Sequence, residues 1–221
     1  MKQVKNSSNN KILRIQRERL IQRLHHQGIK NSKVLEAMRT IPRHIFIDEA
    51  LSDHAYANHA LPIGYGQTIS QPYIVARMTE ALLSQRHLDT VLEVGTGCGY
   101  QTAILAQLVG KVYSVERMKR LSEKAHKRLN LLGINNVQLY HSDGRWGRTE
   151  NAPYQGIIVT AAPPKIPNAL LEQLALGGCL IIPVGGSNRQ KLLKIIRNRL
   201  HHYEQHLLEE VKFVPLREGL S

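Results

Sequence analysis

Residues 90–106 read TVLEVGTGCGYQTAILA, and this stretch decides the fold. Residues 90–94 are mostly apolar and β-branched, which predicts a buried strand. Glycines occupy every other position of the loop 95–99, and a helical segment follows it. A strand, a glycine loop and a helix in this order indicate a βα unit of an open α/β sheet. Because ligands of such sheets bind at the carboxyl ends of the strands, the loop is the predicted ligand site.

The sequence after residue 106 alternates between short apolar runs and helix-length segments. The apolar runs lie at 111–116, 137–143, 156–162 and 179–185, and the helical segments at 117–132 and 168–176. Such alternation is typical of a parallel sheet with helices on both faces. The last two runs, 191–198 and 207–216, have no helix between them and predict an antiparallel pair. We therefore predict an α/β fold: a Rossmann-like doubly wound, mostly parallel sheet with a C-terminal antiparallel strand pair and an N-terminal helical extension.

The N-terminal part has a different pattern from the sheet region. Residues 1–10 are polar and predict a flexible basic tail. Leucines at spacings of seven and four within residues 11–27 predict an amphipathic helix, and Asn31 can cap a second one. The rest of the chain is predicted to be a single domain over 11–221, with N-terminal helices and a polar covering segment in 11–89 and the Rossmann-like core in 90–221.

The composition excludes several classes of protein. With 42% hydrophobic residues in 221, the chain is expected to fold as a globular domain. No apolar run approaches about eighteen residues, and the N-terminus lacks the apolar core of a secretory signal, so no membrane span is expected. Cys98 and Cys179 are the only cysteines, which favours a reducing, cytoplasmic location. The eleven histidines are scattered, and no metal site is expected.

The net charge of +13 is concentrated at the N-terminus. Residues 1–40 hold ten lysines and arginines against two glutamates, a surplus of eight. A solvated basic helix face is the preferred interpretation of this surplus. A patch for acidic peptides or nucleic acid is the alternative.

The glycine loop has features that select among nucleotide ligands. Gly95 and Gly97 allow the backbone to approach a ligand closely, and the helix after them favours a negative group. A dinucleotide fingerprint would require glycine or alanine where this chain has Tyr100. Glu116 ends the next strand, 21 residues after Gly95, where a carboxylate can accept hydrogen bonds from both ribose hydroxyls.

The residues around the loop fit S-adenosylmethionine, a nucleoside with a carboxylate tail. Asp143 and Gly144 end the third strand at the same sheet edge, where they would border the adenine. Glu93 lies beneath the loop, where it could bind the methionine amino group. Together with Thr96 in the loop, these residues predict a methyltransferase.

At this point six motifs resemble one family, the protein-L-isoaspartate O-methyltransferases. They are GQTISQP (66–72), VARMTE (75–80), VLEVGTGCGYQTAILA (91–106), VYSVER (112–117), IIVTAA (157–162) and VKFVPL (211–216). The resemblance covers roughly residues 12–216, and GQTISQP is far more specific than the glycine loop. The sequence departs from the family pattern at Tyr154 and Gln155, and we interpret this pair as having a structural role. It also departs in the loop 145–148, which is unusually basic.

The resemblance implies a reaction and assigns residues to it. Residues Gln67, Thr68 and Ile69 would fold over the cofactor, and Ser70 would be the catalytic residue. The family methylates the free carboxylate of L-isoaspartyl residues, and D-aspartyl residues as a further substrate, in damaged proteins and peptides. The ester then closes to a succinimide, which initiates repair. A carboxylate with a pKa of about 3.5–4 is already ionised at pH 7, so the reaction needs no protein base.

Two other functions are considered against this one. A nucleic-acid methyltransferase would fit the basic charge, but Pro163 and Pro164 lack the polar and aromatic neighbours of a base-methylating motif. A non-catalytic cofactor-binding module is disfavoured by the intact Ser70, Glu116 and Asp143. The expected partners are isoaspartyl proteins and peptides, with neither membrane nor nucleic acid, and the chain is expected to be a monomer.

Overall fold

The computed structural model describes residues 2–84, 88–186 and 188–221, and the side chains from residue 11 onward within those ranges. The helices are α1 Lys2–His26, α2 Ser32–Thr40, α3 Pro72–Leu83, α4 Tyr100–Ala106, α5 Lys119–Leu131 and α6 Asn168–Glu172. The strands are β1 Leu61–Gly64, β2 Gln67–Ile69, β3 Thr90–Val94, β4 Lys111–Glu116, β5 Val137–His141, β6 Tyr154–Val159, β7 Leu174–Gly185, β8 Gln190–Arg199 and β9 His202–Val211. None of the described helices is long and apolar enough to cross a membrane.

Seven strands form the central sheet in the order β5-β4-β3-β6-β7-β8-β9. The first five of these are parallel, whereas β8 runs antiparallel to both β7 and β9. The chain leaves β3 toward β4 on one side and later returns to β6 on the other. The strand order therefore reverses beside β3, which is where open α/β sheets bind their ligands. The predicted fold class is confirmed.

Several boundaries differ from the prediction. The last strand, predicted at 207–216, is β9 His202–Val211. The predicted helix at 168–176 ends at Glu172, and β7 begins at Leu174 rather than at Cys179. Leu174 pairs with Tyr154 of β6, so sheet pairing overrides the helical propensity of the last residues. At the other end of the chain, α1 begins at Lys2 instead of residue 11. The side chains of residues 2–10 lie outside the described part, so the flexible tail stays a prediction.

The N-terminal helices pack beside the sheet through their apolar faces. Leu20 and Leu24 of α1 are buried with Val34 of α2 in the larger apolar cluster. The Asn31 side chain caps α2 by accepting the N–H groups of Lys33 and Val34, as predicted.

A two-stranded hairpin of β1 and β2 precedes α3 and stands over the glycine loop. Its tip is Gly64-Tyr65-Gly66, and all three residues have positive φ angles of 91°, 54° and 68°. Two glycines allow this tight turn without steric strain, although Tyr65 adopts it with a side chain. The polar segment predicted to cover the ligand is therefore an ordered hairpin.

Candidate cofactor and substrate site

A cavity opens at the carboxyl ends of β3, β4 and β6 and encloses about 850 Å³ of space that is continuous with solvent. Nine predicted site residues line it: Gln67, Thr68, Ile69, Ser70, Gly95, Thr96, Gly97, Glu116 and Gly144. The hairpin, the glycine loop and the strand ends thus meet at one place.

The glycine loop packs too closely for side chains. Gly95 has a φ angle of +98°, and a Cβ atom there would lie 2.3 Å from the Thr160 hydroxyl oxygen. That hydroxyl lies 2.7 Å from the Gly95 carbonyl oxygen, to which it donates. At Gly99 an added Cβ would lie 3.1 Å from Ala125 of α5. The loop therefore requires glycine for both its backbone conformation and its contacts with β6 and α5.

Glu116 is buried at the end of β4 and lines the cavity. Its Oε2 accepts the N–H of Gly97 at 2.8 Å, and its Oε1 accepts the N–H of Met118 at 2.9 Å. Each carboxylate oxygen can accept a second hydrogen bond. The carboxylate is therefore held rigidly by backbone and keeps acceptor capacity for two hydroxyl groups of a ligand.

Glu93 lies beneath the cavity and does not line it. The register of β3 and β4 places Ser114 beside it. Ser114 and Thr102 both donate hydroxyl hydrogen bonds of 2.5 Å to the Glu93 Oε2, and Ser114 is 2.6 Å from the Thr96 hydroxyl. The predicted contact of Glu93 with a methionine amino group stays a prediction. In the structure Glu93 is linked to the cavity lining through Ser114 and Thr96.

Burial sets the ionisation of Glu93. The side chain is fully buried, and this raises the pKa of Glu93 to about 8, although the hydrogen bonds from Ser114 and Thr102 lower it. Among the residues that the structure describes, its Oε1 has no hydrogen-bond partner. A carboxylate in this position would leave an unpaired charged oxygen in the interior, so the neutral acid is favoured at physiological pH.

This raised pKa predicts a pH-dependent stability. Unfolded glutamate has a pKa of about 4.3, so between pH 4.3 and 8 the folded protein binds a proton that the unfolded chain does not. The stabilising contribution of Glu93 to the free energy of unfolding is therefore fully present below pH 4.3. It is lost as the pH rises to 8, at about 1.4 kcal/mol per pH unit. Glu93→Gln, which resembles the protonated acid, should gain thermal stability relative to the original protein as the pH rises from 5 to 8.5. A difference in Tm that stays constant over that range would contradict the raised pKa.

Asp143 is also outside the cavity lining, whereas its neighbour Gly144 is part of it. The Asp143 Oδ2 accepts the N–H of Gly219 at 2.8 Å and the Nη2 of Arg145 at 3.0 Å. Partial burial raises the pKa of Asp143, but the hydrogen bonds from Arg145 and Gly219 outweigh it and leave the pKa below its ordinary value. A Cβ atom at Gly144 would lie 2.4 Å from a Val94 methyl group, so this backbone packs directly on β3. Asp143 therefore anchors the C-terminal segment, and Gly144 supplies the surface at the cavity.

A second cavity adjoins the first on the side of β9 and the start of α3. Four residues line both cavities: Thr68, Ser70, Thr160 and Val214. Ser70 follows β2, and its backbone carbonyl oxygen accepts a hydrogen bond of 2.8 Å from Arg43. Ser70 therefore lies between the two cavities, at the place where a group bound in one cavity can meet a group bound in the other.

The C-terminal segment 214–217 lines the first cavity, and no site residue was predicted there. It is held against β6 because the Ala162 N–H donates to Val214 and the Leu216 N–H donates to Ala162, at 2.8 and 2.9 Å. The motif VKFVPL at 211–216 was the available signal. Its spatial position depends on the return of the chain after β9, which the sequence pattern does not specify.

Tyr154 and Gln155 have structural roles, as interpreted from the sequence. The Gln155 Oε1 accepts the N–H groups of Asp89 and Thr90, at the amino ends of the strands and away from the cavity. The Tyr154 hydroxyl donates to the Arg148 carbonyl at 2.6 Å. The departures from the family pattern at these positions therefore lie at the sheet edge opposite the site.

The basic loop 145–148 is largely neutralised. Arg145 forms ion pairs with Asp143 and Glu218, and Arg148 pairs with Glu150 at 3.2 Å. Its charges are therefore compensated locally.

Cys98 and Cys179 are both buried free thiols, and burial raises the pKa of each. Neither therefore has the thiolate character of a nucleophile. Over the described ranges of the chain, no three histidine, cysteine, aspartate or glutamate side chains are grouped so that they could hold a metal ion.

Comparison of the sequence with known proteins finds one family repeatedly. The family model of Protein-L-isoaspartate(D-aspartate) O-methyltransferase matches residues 15–221. A protein-L-isoaspartate O-methyltransferase 1 from Nitrosococcus oceani is 57% identical over 201 residues, which cover 91% of this chain and 94% of the relative. A protein-L-isoaspartate O-methyltransferase from Ectopseudomonas mendocina is 56% identical over 203 residues, covering 92% and 96% of the two chains.

Solved structures show the same similarity. A protein-L-isoaspartate O-methyltransferase structure superimposes with a TM-score of 0.84 at 29% identity, covering 92% of this chain and 67% of that one. A beta-aspartate methyltransferase from Plasmodium falciparum, solved in complex with S-adenosyl-L-homocysteine, gives a TM-score of 0.79 at 25% identity and covers 91% and 98%.

Proposed function

Because the chain belongs to the protein-L-isoaspartate(D-aspartate) O-methyltransferase family, we propose that it methylates L-isoaspartyl and D-aspartyl residues of damaged proteins and peptides, with S-adenosylmethionine as donor. The observation that carries this proposal is the position of Ser70, which lines both the cavity of the glycine loop and the adjoining cavity. The first cavity takes the cofactor and the second takes the peptide that presents the misplaced carboxylate.

The residues of the first cavity fit S-adenosylmethionine. Glu116 would accept the ribose hydroxyls, because its carboxylate is fixed by two backbone N–H groups and has acceptor capacity left. The loop of Gly95, Thr96 and Gly97 would hold the amino-acid end, with Glu93 acting behind it through Ser114 and Thr96. Gly144 would border the adenine, and Asp143 would fix the backbone beside it.

The chemistry requires orientation more than proton transfer. The bound cofactor supplies an electrophilic methyl group on a sulfonium. The substrate carboxylate is already ionised, so the protein must aim one of its oxygens at that methyl group, in line and at about 3 Å. The hydroxyl groups of Ser70 and Thr68 can donate hydrogen bonds to the carboxylate between the cavities, while Gln67 and Ile69 of β2 cover the cofactor.

The alternatives have less support. Base methylation by a cysteine nucleophile is disfavoured because Cys98, the cysteine that lines the cavity, is a buried thiol with a raised pKa. The non-catalytic module is disfavoured because Ser70 and Glu116, the residues proposed for catalysis and ribose binding, both line the cavity.

We further propose that the enzyme is cytoplasmic and monomeric. Two buried, unpaired cysteines are compatible with a reducing compartment. Fractionation of the native cells and light scattering of the purified protein test these two proposals.

The function is tested by incubating the protein with radiolabelled cofactor and three acceptors: an isoaspartyl peptide, its normal aspartyl twin and bulk RNA. We expect base-labile label on the isoaspartyl peptide alone, released as methanol. Equal labelling of both peptides would exclude isoaspartate specificity, and base-stable label on the RNA would support the nucleic-acid alternative instead.

A further inference from the structure

Arg43 is a fully buried arginine to which the reaction described above assigns no role. It begins a short 3₁₀ helix, Arg43–Phe46, and its exposed fraction is 0%. Among the described residues, no carboxylate forms an ion pair with it. Burial lowers the pKa of Arg43 below its ordinary value, but a guanidinium stays charged in proteins. A buried cation without an opposite charge is costly, so its contacts should show what it provides.

The contacts of Arg43 join the two ends of one segment. Its Nε donates to the Ala55 carbonyl oxygen at 2.9 Å, and its Nη2 donates to the Ser70 carbonyl oxygen at 2.8 Å. The β1–β2 hairpin lies between Ala55 and Ser70 in the chain. A single planar group therefore ties the residue that precedes the hairpin region to the residue that follows the hairpin.

The same guanidinium also contacts a residue on the glycine-loop side of the site. Its Cζ lies 4.9 Å from the centre of the Tyr100 ring, close enough for a cation–π contact. Tyr100 is the first residue of α4 and lines the cofactor cavity. Phe46, from the same short helix as Arg43, packs against Tyr100 with ring centres 5.5 Å apart. Arg43 is therefore fixed relative to the cofactor cavity as well as to Ser70.

We propose that Arg43 is a positioning residue for Ser70. Its guanidinium holds both ends of the hairpin segment against Tyr100, and this fixes the Ser70 hydroxyl between the cofactor cavity and the peptide cavity. The role needs the planar fork of arginine, because two carbonyl groups are bound in fixed directions while the guanidinium also contacts the Tyr100 ring. A lysine has the charge but not this geometry. The proposal rests on the proposed function, since it concerns the methyl transfer that Ser70 orients.

Arg197 offers a matched control at the opposite edge of the sheet. Its Nη1 also donates to two backbone carbonyl groups, those of Glu172 and Leu174, and its buried Nε has no partner within the described ranges. It lies near the amino ends of β6 and β7 and lines neither cavity. Arg197→Met therefore removes a comparable structural clamp without touching the site.

The experiment compares Arg43→Lys, Arg43→Met and Arg197→Met with the original protein. Thermal stability, the Kd of S-adenosylhomocysteine, and kcat and KM for an isoaspartyl peptide are measured for each. Misplacing a reacting group by a fraction of an ångström costs roughly tenfold or more, so we expect kcat to fall by at least about tenfold in both Arg43 variants. We expect the Kd to change by less than about threefold, because no cofactor contact is removed. Arg197→Met should lower Tm but keep kcat within about twofold, since it lies far from the site.

A second measurement tests whether Arg43 acts through Ser70. In a Ser70→Ala background, Arg43→Lys should lower kcat by less than about threefold, because the hydroxyl that it positions is absent and the two effects couple. Equal losses with and without the Ser70 hydroxyl would overturn the proposal. So would an unchanged kcat in Arg43→Lys, or an equal loss of kcat in Arg197→Met. If Arg43→Met does not fold, Arg43→Lys decides the question. Inactivity of the original protein toward the isoaspartyl peptide would defeat the proposed function instead.

Discussion

Replacing Ser70 by alanine should slow methyl transfer about 10²-fold, because one positioned donor in a water-poor site is lost. The affinity for S-adenosylhomocysteine should stay within about twofold, since the Ser70 side chain orients the substrate rather than the cofactor. The backbone carbonyl of Ser70, which accepts from Arg43, is retained in the variant, so the hairpin should keep its position. Single-turnover methylation of an isoaspartyl peptide measures the effect.

The pH dependence separates orientation from general-base catalysis. If Ser70 only orients an ionised carboxylate, the methylation rate of Ser70→Ala should show no new increase with pH between about pH 6 and 9. Ser70→Thr, which keeps a hydroxyl, should recover part of the rate. Ser122→Ala on α5, outside the cavity lining, is the matched control and should behave like the original protein. A Ser70→Ala protein with the original rate would show that the hairpin is only a cover.

Replacing Glu116 by alanine should weaken cofactor binding by roughly tenfold to a hundredfold, or about 1.5–3 kcal/mol. The carboxylate is the proposed acceptor for the ribose hydroxyls, and its loss also leaves the N–H groups of Gly97 and Met118 without their acceptor. Both effects act on the same cavity. Calorimetric titration with S-adenosylhomocysteine gives the Kd directly.

Two further variants make the Glu116 result specific. Glu116→Gln should also weaken binding, because its amide N–H₂ would face a backbone donor where a carboxylate oxygen now accepts. Glu123→Ala removes an exposed carboxylate from α5 outside the cavity lining and should leave the Kd unchanged. An unaltered Kd in Glu116→Ala would remove this residue from the binding site.

The local features of the fold could be predicted from the sequence. Strand β3, the glycine loop and α4 follow from residues 90–106, because apolar runs, positive-φ glycines and helix formers are local properties. The parallel sheet and the antiparallel end follow from which connections contain a helix. The end of the predicted helix 168–176 was wrong, because pairing of Leu174 with Tyr154 depends on a distant strand.

Several predicted residues at or just after the carboxyl ends of parallel strands line the cavity. Gly95, Glu116 and Gly144 line it because the carboxyl ends of parallel strands necessarily meet at one edge of the sheet. The sequence therefore determined the edge of the sheet at which the cavity opens and several of the residues that line it.

The tertiary structure alone decided the partners of the buried polar groups. Glu93 meets Ser114 because of the β3–β4 register, and Asp143 binds the N–H of Gly219 because the chain end returns there. Arg43 reaches Ser70 across the base of a hairpin. A sequence pattern shows which side chains leave water, since burial recurs with the period of a helix or strand. It does not show which donor meets which acceptor, because that depends on strand register and on segments far apart in the chain.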